Sequence, residues 1–541
     1  MNHLLAITVA SPAIAAAALL VIPNSNRIAV RMVALLGSAI SLSTSIGVAF
    51  LYDRSLGGLQ LLETFSLVPS LGIHLKLAVD GWGVPLLLLT GVILATGVIT
   101  SWTVNKRDKE FFMLLLVLVA GVFGVFVSQD LFVFFLFYEI AVLPMYLLIG
   151  IWGSSHVVVP SGPFKFVWKR FEVGSREYAA MKLTLMLLVG SAAILVAMFL
   201  LWANAGAKTF DLQTLEATRF PIAVQHAIFP LVWLGFGTLA GVFPFHTWSP
   251  DGHASAPTAV SMLHAGVLMK LGAFGVLRIG FVLVPDAAAW WAPIVGAVAV
   301  VNILYGALCA ASQKDLKYII AYSSVSHMGV VMLGIATMNT AGWNGAVYQM
   351  VAHGIMTGLF FALVGLVYER AHTRTIAKMG GFAHVMPAVA GFFTLACLSS
   401  LGLPGTAGFV AEFMVFAGAA QGVNWWWAIP GVLGAFVTAV YVLRAVKTIF
   451  WGPKPENEFA YLTDAHRTEW AAPLVLGGLL VVFGLYPRVL LDFIDVASNT
   501  YLARFPAVAM TDTLETGAHP FTPSGPVIPD SATLTSTREG P

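Results

Sequence analysis

One carboxylate, Glu139, stands in the middle of LFVFFLFYEIAVLPMYLLIG, an apolar run (131–150) long enough to cross a bilayer. A charge at that depth costs roughly 2.5–3.5 kcal/mol on insertion scales, so its presence calls for a function. Other ionisable residues lie in other apolar runs: Lys270 in AGVLMKLGAFGVL, His327 in SSVSHMGVV, His353 in VAHGIMTGL and Glu412 in VAEFMVF. His246 follows a proline-containing interruption in FPFHTWSP, and His264 in SMLHAGVLMK is near the face of Lys270. Singly, each has an ordinary structural reading. A buried histidine is commonly a packing residue, and Glu139 can be half of a structural ion pair. Together they suit proton movement, because each group can hold or release a proton once burial destabilises its charge. Arginine, which cannot deprotonate, is kept to span ends (Arg278, Arg444), a bias that favours titration over static pairing.

The elements that must position these groups are membrane spans. The 541-residue chain is 58% hydrophobic and 10% charged, against about 25% charged in soluble domains. Its formal charge of +2 is spread over short loops and forms no basic patch, so no nucleic-acid partner is expected. No P-loop, dinucleotide fingerprint or nucleophile elbow is present. Cys309 and Cys397 lie inside apolar segments without metal or disulfide spacing and read as small core residues. Apolar windows number about fourteen, most joined by turns as short as SQD at 128–130. The first has no basic residue ahead of it and reads as a retained span rather than a signal peptide.

Basic residues concentrate in the loops after spans one, three, five, nine, eleven and thirteen, including Lys106, Arg107, Lys109, Lys169, Arg170, Lys314 and Arg370. Those loops are expected on the cytoplasmic side, and both termini on the other. Alternation in GIHLKLAVD, within 57–80, predicts a small external hairpin. Two spans are interrupted, the seventh at Pro244 and the twelfth at Pro404–Gly405. Such breaks survive in lipid only where protein or a watery cavity satisfies the freed backbone. A pair of them in corresponding halves points to a transporter built from inverted repeats. The expected fold class is an all-α polytopic membrane protein with two five-helix halves. Residues 1–109 hold the first three spans and the hairpin, 110–284 and 285–452 the two halves, 453–500 the last span with an amphipathic stretch, and 501–541 a polar, disordered tail.

Four stretches, FFLFYEIAVLPMYLLIGIWG, PFHTWSPDGHASAPTAVSMLHAGVLMKLGAFGVLR, DLKYIIAYSSVSHMGVV and LGLPGTAGFVAEF, resemble the antiporter-like subunits of respiratory complex I, the proton-translocating NADH:quinone oxidoreductase. The M type (chain 4) is the best match, from about residue 80 to 452. The resemblance implies fourteen helices, two inverted repeats and proton translocation driven by electron transfer from NADH to quinone in other subunits. It implies no cofactor here, with FMN, iron–sulfur clusters and quinone in partner subunits. The implied partners are neighbouring antiporter-like subunits of the membrane arm, in a bacterial cytoplasmic membrane. Glu139 matches the family's helix-five glutamate, Lys270 the helix-eight lysine between the half-channels, and Glu412 the output-side glutamate. His327 and His353 match histidines of the connecting path, and His246 the histidine after the helix-seven break.

One departure stands out. The family's helix-seven lysine, partner of the helix-five glutamate, is Leu239 here. Lys182 or His246 are the expected partial substitutes. The loop 153–178, with FKFVWKRFE, is also longer than usual. These departures suit a divergent or second copy of the subunit. They keep open a non-pumping structural copy, beside a subunit of a multi-subunit Na+/H+ antiporter or membrane-bound hydrogenase-type module.

Overall fold

A computed structural model describes residues 3–155, 172–206, 208–422, 424–454 and 459–505. Most of the FKFVWKRFE loop and of the polar tail lies outside the described residues. The helices are α1 (Leu4–Val21), α2 (Arg27–Leu51), α3 (Gly83–Thr100), α4 (Asp108–Val127), α5 (Leu131–Trp152) and α6 (Arg176–Asn204). They continue with α7 (Ile222–Ala240), α8 (Trp248–Ser255), α9 (Thr258–Phe281), α10 (Pro285–Ser312), α11 (Leu316–Ala336) and α12 (Thr340–Ala371). The last are α13 (Pro387–Ser400), α14 (Ala407–Gln421), α15 (Ala428–Phe450), α16 (Ala471–Leu485) and α17 (Arg488–Leu502). Among the described residues 13 helices are long and apolar enough to span a membrane. The shorter pair α13 and α14 is the broken twelfth span, and α7 with α8 is the broken seventh. The chain is an all-α polytopic membrane protein, with one antiparallel hairpin among the described residues, β1 (Gln60–Val68) with β2 (Ile73–Val79).

Short polar turns work because their acidic or amide residues cap the next helix. Asp130 accepts from the backbone of Phe132 and Val133, Asp315 from Lys317 and Tyr318, and Asn339 from Gly342. Antiparallel helices joined this way collect their turns on two opposite faces. On one, the hairpin meets the turn before α5, where Gln129 N–H donates to Lys76 O at 2.8 Å and Leu131 N–H to Phe210 O. On the other, Ser154 N–H donates to Ser255 O and Leu316 N–H to Arg374 O. The span windows of α9 and α12 are wholly buried, whereas those of α2 and α16 are 33% and 28% buried. That contrast places α9, α11 and α12 at the centre, with lipid- or subunit-facing side chains such as Leu143, Leu188 and Phe436 on outer helices. Close backbone approach follows from glycine: a Cβ on Gly329 of α11 would lie 2.9 Å from Ala299 O of α10.

The eighth apolar window forms α9, one span whose winding changes along its length. His264–Leu268 and Val276–Phe281 are π-helical. Such turns carry one extra residue and re-aim the side chains around them, which apolar periodicity cannot signal.

Candidate functional site

The two breaks are positioned by side-chain hydrogen bonds. After α7 the chain turns through Gly241 at φ 74°, and Asn302 of α10 accepts from Phe243 N–H at 2.9 Å. The same Asn302 donates to Val325 O of α11, and Trp248 Nε1 donates to Thr238 O, a last-turn carbonyl of α7 that also accepts from Gly241 N–H. The α13–α14 break turns at Gly402, φ 72°, where a Cβ would sit 2.7 Å from Glu412 Oε2. Only glycine leaves room there for the carboxylate.

Between the breaks the central helices bring four of the six candidate residues together. Lys270 and His353 are buried, with Lys270 Nζ 2.6 Å from His353 Nδ1. Lys270 also donates to Ala265 O, a carbonyl of the π-turn. The His353 and His327 rings lie 5.2 Å apart between centroids. His327 Nδ1 is 3.3 Å from Glu412 Oε1 and 3.2 Å from the Gln349 amide, while its Nε2 meets Ser400 Oγ at 3.1 Å. Gln349, His353 and Thr357 follow one face of α12, and Thr357 Oγ1 donates to His353 O at 2.7 Å. A lysine, two imidazoles and a carboxylate thus stand in file across α9, α12, α11 and α14. Each buried charge has a partner able to share its proton, which offsets the cost of burial.

Glu139 stands apart from this file. Its side chain is half-buried on α5, and no basic group among the described residues lies within 4 Å of it. Its Oε1 is buried with no hydrogen bond of good geometry, and the Ser191 hydroxyl of α6 is the polar group set against it. Leu239 is fully buried. Neither expected substitute replaces the missing lysine. Lys182 is drawn away to Asp251 of α8 at 2.7 Å, and Tyr318 donates to the other oxygen of that carboxylate at 3.0 Å. His246 is held between Phe243 and Tyr305, ring centroids 5.7 and 5.0 Å away, with both nitrogens unpaired. An ion pair needs a partner on the facing surface of a neighbouring helix, and the break aims α8 at α6 and α11 instead.

Sequence reasoning missed His253. It is fully buried on α8 and stacks on His264 at 3.8 Å between centroids, and all four ring nitrogens of the pair are unpaired. Its setting in SPDGHAS reads as a polar loop, and only the fold shows the segment to be a buried helix. Arg278 was read only as a span-end arginine. The structure buries it against Asp80 and Glu216, each at 3.2 Å, with Gln129 at 3.0 Å and the Tyr501 hydroxyl of α17. This static cluster ties the end of α9 to α17. Cys397 is buried, whereas Cys309 is partly exposed. Among the described residues no three His, Cys, Asp or Glu side chains are grouped as a metal site.

Residues 128–438 match the family described as "NADH:quinone oxidoreductase/Mrp antiporter, TM". The chain belongs to this family. It is 37% identical over 511 residues to NAD(P)H-quinone oxidoreductase chain 4 2 of Thermosynechococcus vestitus, covering 92% of each chain. It is 36% identical to NAD(P)H-quinone oxidoreductase chain 4 1 of a Synechococcus species, covering 96% of each. A chain of respiratory complex I from Thermus thermophilus superposes with a TM-score of 0.80 at 27% identity, over 92% of this chain and 99% of that one. A chain of the Mrp complex from a Dietzia species superposes at 0.79 and 21% identity, over 95% and 100%, a likeness of fold alone. The resemblance to the antiporter-like subunits of complex I therefore holds.

Proposed function

We propose that the chain is the M-type membrane subunit of an NAD(P)H:quinone oxidoreductase and moves protons through the file Lys270–His353–His327–Glu412. The carrying observation is the juxtaposition of four titratable groups between two broken helices, with Lys270 Nζ 2.6 Å from His353 and His327 3.3 Å from Glu412. In this reading Lys270 takes a proton, passes it to His353 and then His327, and Glu412 delivers it toward the far face. Glu139, with His246, modulates the entry side. Redox chemistry, with FMN, iron–sulfur clusters and quinone, resides in partner subunits, and this chain contributes none. The chain sits beside other antiporter-like subunits in a bacterial cytoplasmic membrane, both termini and the hairpin on the non-cytoplasmic face. Its helices α4–α9 and α10–α15 form two inverted halves. Full-length relatives named as quinone oxidoreductase chain 4 support this complex over the Mrp alternative, whose likeness is one of fold.

The test is proton pumping driven by electron transfer in membrane vesicles containing the assembled complex. Lys270→Ala and Glu412→Ala should abolish pumping while the subunit still assembles. Undiminished pumping in both would overturn the reading in favour of a non-pumping copy, the alternative that Leu239 raises.

A further inference from the structure

Another feature lies outside the Lys270–Glu412 file and outside the surroundings of Glu139. A cleft of about 610 Å³ opens between the end of α3, the last turns of α12 and the start of α16. It lies on the face opposite the hairpin, among the turns where Arg370 meets Glu469 at 2.6 Å. Its rim carries three titratable side chains, Glu369, His466 and Glu469, and its wall includes Thr103. A site needs only about 10–15 Å³ of such volume for one water, so the cleft has room for many.

The inner wall includes Thr258, the first residue of α9, and Ala362 of α12. Thr258 is six residues, about one and two-thirds turns, before His264. Ala362 follows Phe361, whose ring stacks on His253 at 5.3 Å between centroids. Behind that ring lies the His253–His264 stack, fully buried and with four unpaired ring nitrogens. An unpaired buried polar group costs about 1–3 kcal/mol, so four on two adjacent rings need a reason beyond packing. His264 begins the π-turn whose next carbonyl, Ala265 O, accepts from Lys270 Nζ.

We propose that this cleft is a second proton entrance, from which the His253–His264 pair loads Lys270 without passing Glu139. The idea rests on the proposed pumping role of Lys270. A proton from water in the cleft binds one imidazole nitrogen, and the pair becomes a single imidazolium. Two cations stacked at 3.8 Å would repel strongly, so the pair carries one proton at a time. It passes that proton to Lys270 Nζ when the amine is neutral, and both rings are then neutral again. A charged Lys270 opposes loading of the pair, which imposes an order on the two steps. In this proposal Phe361, whose ring stacks on His253 and which precedes the cleft-lining Ala362, separates the cleft from the rings.

The test uses the assembled complex in membrane vesicles and the initial rate of membrane-potential generation by electron transfer. Cys309→Ser removes the partly exposed thiol, and Thr103→Cys places a new one in the cleft wall for labelling by a bulky maleimide after assembly. The proposal expects labelling to slow pumping at least about fivefold, and His253→Phe or His264→Phe, which keep a ring but remove its nitrogens, at least about tenfold. Added imidazole should partly restore His253→Ala, and the label should block that restoration, which a packing role for the ring would not produce. Labelled Thr103→Cys pumping within twofold of unlabelled overturns the entrance, even where a histidine variant fails to assemble. Lys270→Ala is measured alongside. If it abolishes pumping while the label does nothing, the entrance alone is wrong; if it pumps normally, the proposed function is wrong.

Discussion

The Lys270–Glu412 file and the surroundings of Glu139 are built from the same residue types to opposite effect. The file lies on α9, α11, α12 and α14, where Lys270 meets His353 at 2.6 Å and His327 meets Glu412 at 3.3 Å, the two imidazole rings standing 5.2 Å apart between centroids. Glu139 lies on the half-exposed α5 with a hydroxyl for company, and Lys182, the lysine expected as a substitute partner, is bound to Asp251. A buried charge is tolerable when its partner is delivered by a neighbouring helix, and among the described residues no neighbouring helix delivers a cation to Glu139. The difference teaches that the same residue types can be joined in one region of a protein and left unjoined in another.

Lys270→Ala tests the comparison most severely. It should lower electron-transfer-driven pumping about 100-fold in assembled complex, and Glu139→Gln less than about threefold, within the range for removing a positioned proton carrier. Equal losses would erase the distinction between the regions. Gly402→Ala comes next. Its Cβ would lie 2.7 Å from Glu412 Oε2 at a backbone φ of 72°, so the strained site, costing about 1–3 kcal/mol, should displace the carboxylate and slow pumping without changing the response to Glu139→Gln. Vesicle pumping rates of the single and double variants check this.

Leu239→Lys sharpens the contrast from the other side. Phe236, one turn earlier on α7, meets Tyr138 beside Glu139 with ring centroids 5.9 Å apart. An ammonium restored at 239 should therefore couple to Glu139. A double-mutant cycle of Leu239→Lys with Glu139→Gln, read in pumping rate, should show a coupling of about 0.5–3 kcal/mol, whereas additivity would mean that the two positions do not meet.

The smallest effect is expected outside both regions, where Lys76 of the hairpin meets Asp211 at 2.5 Å. Burial opposes the charge of Asp211, but hydrogen bonds from Lys76 and Thr214 outweigh it and hold the carboxyl below its ordinary range. Because the folded value is depressed, this contribution is present above the usual carboxylate range and is lost as pH falls below about 4. The pair is partly exposed, so Asp211→Asn should cost under about 1 kcal/mol, seen as faster hydrogen exchange in the hairpin at neutral pH and little difference from parent in acid.

By itself the sequence determined the membrane class, the near-regular succession of spans, both breaks and the hairpin. Each is written in local terms: apolar length, proline and glycine inside a span, and period-two alternation. It also named Lys270, His327, His353 and Glu412, because an ionisable residue in an apolar run is conspicuous wherever it falls. Only the tertiary structure decided which of them meet. Helix rotation, the π-turns of α9 and the direction of α8 after its break set those contacts, and none has a one-dimensional signature. For the same reason His253, in a stretch that reads as a polar loop, became half of a buried imidazole pair. Lys182, a plausible stand-in on the page, turned to Asp251 because an ion pair forms with the charge a neighbouring helix presents, and a linear sequence does not say which helix that is.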